Sequence, residues 1–405
     1  MDNNRRHVPN GWEERKIKQC FKFKNGKGFS GELREKADSD YCYPVYGGNG
    51  IIGYCNNPLF DKPTIIVGRV GEYCGNVFKT QEKSWVTDNA MLVSEVLLED
   101  FDINFWTVML NSLHFNHFSD STGQPKITQG GIGAITVIYP KSVTEQAAIS
   151  NILSKVDEAI ASVQNSITAA ERLKKSLMQN LLTGKMKPDG TFRTPEEFYI
   201  DEKFGKVPVG WEVKKVQELS IQVTDGEHQT PERTETGYYL LSARNIKNGY
   251  LSLDDVDYIP EKELRRIQKR CNPQAGDILI SCSGTIGNVC IVPDGFIGGM
   301  VRSAALVKLN SDKIESQFAE LLFQSHYLQN QMKVAVASSV QGNIFQGAIK
   351  KLRMFYPHDK QERLAITERL YLFNKEIASM QDKIIVLERL KKSLMQNLLT
   401  GKVKA

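Results

Sequence analysis

Glu171–Lys185 reads ERLKKSLMQNLLTGK, and Glu388–Lys402 repeats it letter for letter, 217 positions further on in a chain of 405 residues. The spacing is about half the chain, so the protein is built twice over, and an internal repeat of this kind decides the fold before any local signal. Reading outward, Val8-Pro9-Asn10-Gly11-Trp12-Glu13 is matched by Val207-Pro208-Val209-Gly210-Trp211-Glu212, at an offset of 199. Gly75-Asn76-Val77 resembles Gly287-Asn288-Val289 at an offset of 212, and Gln124–Gly130 resembles Gln341–Gly347 at 217. The offset of 217 then holds from Tyr139-Pro140 and Tyr356-Pro357 onward, so the second half carries 18 more residues, all before position 341. The ends of the repeat are fixed in length and its middle is not.

Both fifteen-letter copies close a long helical pattern. Ser142-Val143-Thr144-Glu145 and Asp359-Lys360-Gln361-Glu362 have the spacing of a capping box, two residues after a proline. Gly184 and Gly401 mark the stops, where glycine suits a left-handed C-cap. Each helix then spans about 40 residues, or roughly 60 Å at the α-helical rise. Its apolar residues recur at alternating steps of three and four, the mark of a coiled-coil seam. In the first helix the seam is Leu153, Val156, Ile160, Val163, Ile167, Ala170, Leu177 and Leu181. In the second it is Leu370, Phe373, Ile377, Met380, Ile384, Leu387, Leu394 and Leu398. Lys174 and Lys391 interrupt the two seams at matching positions. A polar seam residue fixes register at a cost in stability; the alternative is that each lysine marks where the seam ends and another partner begins. A short linker between the halves makes antiparallel pairing the economical route, which predicts two heads held apart by a spacer with pseudo-twofold symmetry.

The regions between are rich in glycine and asparagine, with short β-branched runs such as Thr64-Ile65-Ile66-Val67 and Asp277–Ser281. Turn signals such as Gly47-Gly48-Asn49-Gly50 and Lys247-Asn248-Gly249 separate them. Residues 101–118 and 313–336 read as helical. The expected fold is α+β: two mixed α/β heads and a long antiparallel two-helix coiled coil. Its segments are a first head at 1–141, a helix at 142–184, a linker at 185–206, a second head at 207–358 and a helix at 359–401.

Composition narrows the function less. A net charge of +5 is compatible with a nucleic-acid partner without requiring one. No apolar run is long enough for a membrane span, and Met1–Arg6 lacks the apolar core of a signal peptide. The seven cysteines include no C-x-x-C pair, which predicts free thiols in a reducing cytoplasm rather than disulfides or zinc.

Two variable heads alternating with two near-identical helices, each head opening V-P-x-G-W-E, resemble the specificity subunit of type I restriction–modification enzymes. The resemblance covers the whole chain. It is carried by Val8–Glu13 and Val207–Glu212, by Tyr43–Gly53 and Ile66–Gly71, by Ser242–Ile246 and Gly284–Asn288, and by the L-x-x-x-L-M-Q-x-L-L-T-G-K helix ends. It implies that each head is a target recognition domain reading one half of a split, asymmetric DNA site. The helices would act as a ruler, and the chain would be non-catalytic and lie in a prokaryotic cytoplasm. Two modification subunits would bring S-adenosylmethionine and adenine methylation. Two restriction subunits, where present, would bring ATP and Mg. A split site needs two readers at a fixed spacing, which a rigid spacer supplies.

Base edges are read mainly by Arg, Lys, Asn and Gln, and phosphates by Arg, Lys and backbone amides. In the polar, glycine-rich loops the candidates are Arg69, Gln124, Lys126 and Gln129 in the first head, and Arg244, Lys247, Arg302, Gln341, Asn343 and Gln346 in the second. Tyr46, Tyr54, Tyr238 and Tyr239 are candidates for stacking, with core packing as the plainer reading. A self-contained methyltransferase is disfavoured: the nearest approach to its N/D-P-P-Y/F/W pocket is Asn57-Pro58-Leu59-Phe60, and no F-x-G-x-G is present. The carboxylates Glu197, Asp201 and Glu202 with Lys203 lie in a linker and make a poor nuclease centre. His114-x-x-His117 lacks a third metal ligand, and no G-x-x-x-x-G-K-[ST] loop is present to bind ATP. The alternative that remains open is a coiled-coil scaffold with two protein-binding heads and no DNA role.

Overall fold

In the computed structural model, residues 8–118, 125–202, 205–339 and 342–405 are described. The chain divides into two units, residues 1–165 with 381–405, and residues 166–380. Each contains one head, the start of one long helix and the end of the other.

The first head runs β1 (Trp12–Lys16), α1 (Ile17–Cys20), β2 (Phe21–Asn25), β3 (Tyr43–Gly47), β4 (Gly50–Cys55), β5 (Ile65–Gly68), β6 (Val77–Lys79), β7 (Trp85–Val86), β8 (Ala90–Val96), α2 (Ile103–Ser112), α3 (Gln129–Ala134) and β9 (Thr136–Pro140). A four-stranded sheet has the order β2-β8-β5-β6, a three-stranded one the order β4-β3-β7, and β1 pairs with β9. The β-branched run Ile65-Ile66-Val67 is wholly buried, as expected of a strand covered on both faces. The helix expected over 101–118 is shorter: Asp102 caps α2 by accepting from the Phe105 amide at 2.7 Å, and His114, with φ +48°, ends it before a 3-10 turn at Phe115–Phe118.

The long helix α4 (Val143–Leu181) leads through a linker hairpin, β10 (Phe198–Asp201) and β11 (Gly205–Pro208), into the second head. That head runs β12 (Trp211–Lys215), α5 (Val216–Leu219), β13 (Ser220–Asp225), β14 (Tyr238–Leu241), β15 (Ile246–Lys247), β16 (Tyr250–Leu251), β17 (Asp257–Ile259), α6 (Glu261–Gln268), β18 (Ile278–Ser281), β19 (Val289–Ile291), β20 (Gly298–Met300), β21 (Ala304–Leu309), α7 (Ser316–Gln324), α8 (His326–Ala337), α9 (Gln346–Lys351) and β22 (Arg353–Pro357), before the long helix α10 (Lys360–Leu398). Its sheets are β13-β21-β18-β19, β17-β14-β20 and β12-β22. Strand for strand this is the first head again, including the parallel pairing of β3 with β7 and of β14 with β20. The extra length falls where the tight β3–β4 turn is replaced by β15 and β16 between β14 and β17, and where α6 is added between β17 and β18. The helix expected over 313–336 is two helices. Ser325 holds extended backbone between them, and its hydroxyl accepts from the Leu328 amide at 3.4 Å.

Along α4, Leu153, Val156, Ile167 and Leu181 are buried, and Ile160, Val163, Ala170, Lys174 and Leu177 are half-buried between exposed neighbours. Along α10, Leu370 and Leu398 are buried, and Phe373, Ile377, Met380, Ile384, Leu387, Lys391 and Leu394 are half-buried. In the first unit Lys391 Nζ lies 2.6 Å from Asp157 Oδ1, with the two helix segments running in opposite directions. In the second unit Lys174 faces Glu320 of α7. Burial lowers the lysine's pKa, and Glu320 opposes that shift.

The helix ends are parts of the head cores. Leu398 and Leu399 join the core built on Trp12, Phe21 and Trp106. Leu181 and Leu182 join the one built on Trp211, Phe318 and Phe323. Gly184 (φ +66°) and Gly401 (φ +67°) end the helices in the left-handed conformation. A Cβ on Gly184 would lie 2.2 Å from Pro208 Cγ, and one on Gly401 would lie 2.6 Å from Pro9 Cγ. The acids expected to complete capping boxes serve the tryptophans instead: Trp12 Nε1 donates to Glu145 at 3.2 Å and Trp211 Nε1 to Glu362 at 3.3 Å. V-P-x-G-W therefore forms one joint with the start of one long helix and the end of the other, once in each unit. Among the described residues no helix is long and apolar enough to cross a membrane.

Candidate nucleic-acid interface

In the first head, one end of the four-stranded sheet gathers the polar loops. The end of β2 (Asn25), the end of β5 (Gly68), the start of β8 (Ala90) and the tip of the β3–β4 hairpin meet there. Backbones pack without side chains between them: a Cβ on Gly68 would stand 2.2 Å from the Gly48 carbonyl oxygen. Arg69 N donates to Asn89 O at 2.9 Å, and Ile127 N donates to Arg69 O at 2.9 Å. Val70 forms a β-bridge with Lys126. Asn76 Nδ2 ties the loop to the hairpin tip through Asn49 Oδ1 at 3.1 Å. This brings Arg69 and exposed Lys126 together, with the Arg69 guanidinium donating to Asp88 O at 3.2 Å. Gln129 lies at the same sheet end, where its Nε2 donates to Asn25 Oδ1 at 3.2 Å.

The second head builds the same end from other side chains. Cys282 N donates to Ser303 O at 2.8 Å and Ile344 N donates to Cys282 O at 3.2 Å, so Cys282 occupies the place of Arg69. Arg302 occupies the place of Asp88, and Ser303 that of Asn89. Asn288, the counterpart of Asn76, donates through Nδ2 to Ile246 O at 3.1 Å. Gln346, the counterpart of Gln129, donates to Asp225 Oδ1 at 3.3 Å. Arg244 and Lys247 line a cavity of about 430 Å³ with Thr285, Asn288 and Ser303. Arg244 is bound to acids, with its NH2 2.9 Å from Asp257 Oδ1 and its Nε 3.5 Å from Asp255 Oδ2. Arg302 is exposed, and Asn343 is half-buried beside Ile344. Gln124 and Gln341 lie outside the described residues.

Two basic residues at this end were not singled out from sequence. Arg270, just beyond α6, sets its NH2 2.6 Å from Asp225 Oδ1, and His228 Nε2 lies 2.9 Å from Asp225 Oδ2. Burial alone would raise the Asp225 pKa, but the bonds from Arg270 and His228 outweigh it and hold the carboxyl below its usual range. Arg266 NH1 lies 2.9 Å from Glu227 Oε2. Both arginines come with the inserted segment, and the length difference between the halves was the available signal for them. Of the tyrosines, Tyr46 is buried and accepts from the Gln81 amide at 3.1 Å. Tyr239 stacks on Phe296 at 5.9 Å between centroids. These are packing roles. Among the described residues no group of His, Cys, Asp or Glu is arranged to hold a metal ion.

Such an end displays Arg, Lys, Asn and Gln on a framework of backbone hydrogen bonds, with opposite charges nearby that orient the cations. It can present donors and acceptors to a polyanion with readable edges. The sequence matches the family described as type I restriction modification DNA specificity domain over residues 9–172 and again over 208–394. The chain belongs to that family, and its function is that of a type I restriction–modification specificity subunit. Among its relatives, the MjaVIII specificity subunit of Methanocaldococcus jannaschii is 23% identical over 98% of this chain and 94% of its own length. The EcoprrI specificity subunit of Escherichia coli is 30% identical over 40% of this chain and 39% of its own. The fold is similar to that of the type I restriction–modification S subunit from M. genitalium, with a TM-score of 0.62 at 17% identity, covering 98% of this chain and 97% of that one. The scaffold alternative without a DNA role is not favoured by this family membership.

Proposed function

We propose that each head reads one part of a two-part, asymmetric DNA site through the loop end of its four-stranded sheet, and that the long helices fix the gap between the parts. One observation carries this. Equivalent backbone positions hold different side chains in the two heads: Arg69 against Cys282, Asp88 against Arg302, Asn89 against Ser303 and Asn25 against Asp225. Shared framework with exchanged donors and acceptors is what two readers of different base patterns need. The chain itself is non-catalytic in this reading. Methyl transfer from S-adenosylmethionine belongs to two modification subunits, and ATP- and Mg-dependent cleavage to two restriction subunits where these are present. The exposed letters of the fifteen-residue repeat, Arg172, Leu173 and Ser176 with their counterparts Arg389, Leu390 and Ser393, offer the modification subunits two equivalent surfaces.

Methylation mapping in cells with and without the gene tests the reading. A bipartite adenine-methylated motif should vanish on deletion, and replacing residues 1–141 by another head should change one half of it and leave the gap alone. Deleting one heptad from both helices should alter the gap or abolish activity. An unchanged gap would refute the ruler, and equal affinity of the reconstituted complex for all duplexes would refute recognition.

A further inference from the structure

The second unit contains a cleft of about 1260 Å³ between the end of α4 and the outer face of α8. Its charged lining is of one sign: Lys175 and Lys185 from α4 and the turn after it, Lys333 from α8 and Lys351 from α9, with His326 at the rim and no carboxylate among the lining residues. All four lysines are exposed. The floor is apolar, made by Met178 and Leu182 on one side and Ala348 and Leu352 on the other. Beside Lys333 stands Val334, which is 70% exposed.

The wall is built rather than loose. Leu328 and Met332 bury the back of α8 in the head core. Gln331 exchanges two hydrogen bonds of 2.9 Å with the backbone of Arg353. Gln329 Nε2 donates to Gly287 O at 2.8 Å. A helix so fastened that presents valine and lysine to an open cleft lacks a partner for that face. The first unit repeats the α4 letters as Lys392, Gln396 and Lys402. Among the described residues of its head, however, only the 3-10 turn Phe115–Phe118 follows α2 before the segment leading to α3. Among the described residues, then, the first unit repeats the letters of one side of the cleft without a counterpart of α8.

We propose that this cleft is a one-sided docking site for an acidic, amphipathic segment of a protein partner, with apolar side chains on the floor and carboxylates against the four lysines. A nucleic-acid backbone would match the charge and waste the floor, because phosphates gain nothing from Met178 and Leu182. Docking here goes beyond the DNA-reading role and does not depend on it.

The full chain can be titrated, by fluorescence anisotropy at low salt, with two labelled peptides of about 15 residues, four helical turns. One carries Leu on one face and Glu flanking it; the other has every Glu replaced by Lys. A labelled duplex serves as the third probe. The acidic peptide should bind more tightly than the basic one by about tenfold or more, as charge complementarity of this kind produces. Lys333→Glu with Lys351→Glu should weaken it by a similar factor, and the neutral Val334→Asn should weaken it without changing its salt dependence. Lys392→Glu with Lys402→Glu, in the first unit, should leave it unchanged. Equal binding of both peptides, or a loss caused by the first-unit pair alone, would overturn the proposal. So would a second-unit pair that weakens only the duplex, which would make the cleft a nucleic-acid surface. All four substituted lysines are exposed, and unchanged thermal unfolding confirms that the variants are folded.

Discussion

The two joints between heads and helices share their apolar parts and differ in their polar ones. In the first, Gln146 of α4 is buried. Its side chain accepts from Asp102 N at 2.9 Å and donates to Pro140 O at 2.9 Å. In the second, the same place on α10 is held by Arg363, which donates to Pro357 O at 2.9 Å and forms an ion pair with Glu315 at 2.8 Å. Arg193 of the linker adds a bond to Glu362, another to Gly184 O at 2.8 Å, and a guanidinium 5.6 Å over the Trp211 ring. One joint is closed by a neutral amide and the other by a charge network. Shape complementarity is what the duplication had to retain. The means of satisfying buried polar groups was free to diverge, provided that each group kept a partner.

The largest effect should come from the shared part. Trp12→Ala and Trp211→Ala should each destabilise its own unit by about 3–5 kcal/mol, the usual loss for a large buried aromatic. Unit-resolved hydrogen exchange would show it, and a loss confined to one joint would break the equivalence. The polar parts should respond unequally. Arg363→Met removes the buried partner of the half-buried Glu315 carboxylate and should cost up to about 3–5 kcal/mol, whereas Gln146→Met leaves only neutral groups unpaired and should cost about 1–3 kcal/mol. Burial alone would raise the Glu315 pKa, but the bonds from Arg363 outweigh it and lower it. The stabilisation from this tie is present at neutral pH and is lost as pH falls through the lowered value. No such loss should come from the Gln146 side chain, which does not titrate.

How much of this was legible beforehand depended on whether letters or backbone positions carried it. The helices, their glycine stops and the seam follow from spacing alone. The duty of Glu145 and Glu362 does not: a capping box and an acceptor for tryptophan look the same in sequence, and only the fold brings Trp12 beside Glu145. Gln129 and Gln346 were visible as a pair, but their bonds to Asn25 and Asp225 depend on where β2 and β13 end. The equivalence of Arg69 with Cys282 was hidden because the residues share no chemistry, only a pair of backbone hydrogen bonds.

Smaller effects sharpen the contrast between the seam lysines. Glu320 is buried, with Oε1 unpaired and Oε2 accepting from Tyr371. Burial raises its pKa, while Tyr371 and Lys174 work against that. A carboxyl raised in this way stabilises the fold at acidic pH, and the contribution fades as pH rises through its raised value. Glu320→Gln should therefore raise the melting temperature of the second unit relative to the parent at alkaline pH, with the gain shrinking on acidification. A constant difference across pH would show that the group does not titrate in this range. Smallest of all, Lys391→Met should shift the first unit by no more than about 1 kcal/mol, since its pair with Asp157 is partly exposed and screened by salt.

Because Leu153 and Leu181 of α4 are buried in the cores of different units, the helix has a rotational phase as well as a length. One inserted residue would turn its terminal leucines by about 100° and aim Leu181 and Leu182 at water, while a whole heptad would misalign them by only about 20°. If the helix is the proposed spacer, its length should therefore tolerate steps of whole heptads, which keep both sets of leucines facing their own cores, and not single-residue steps.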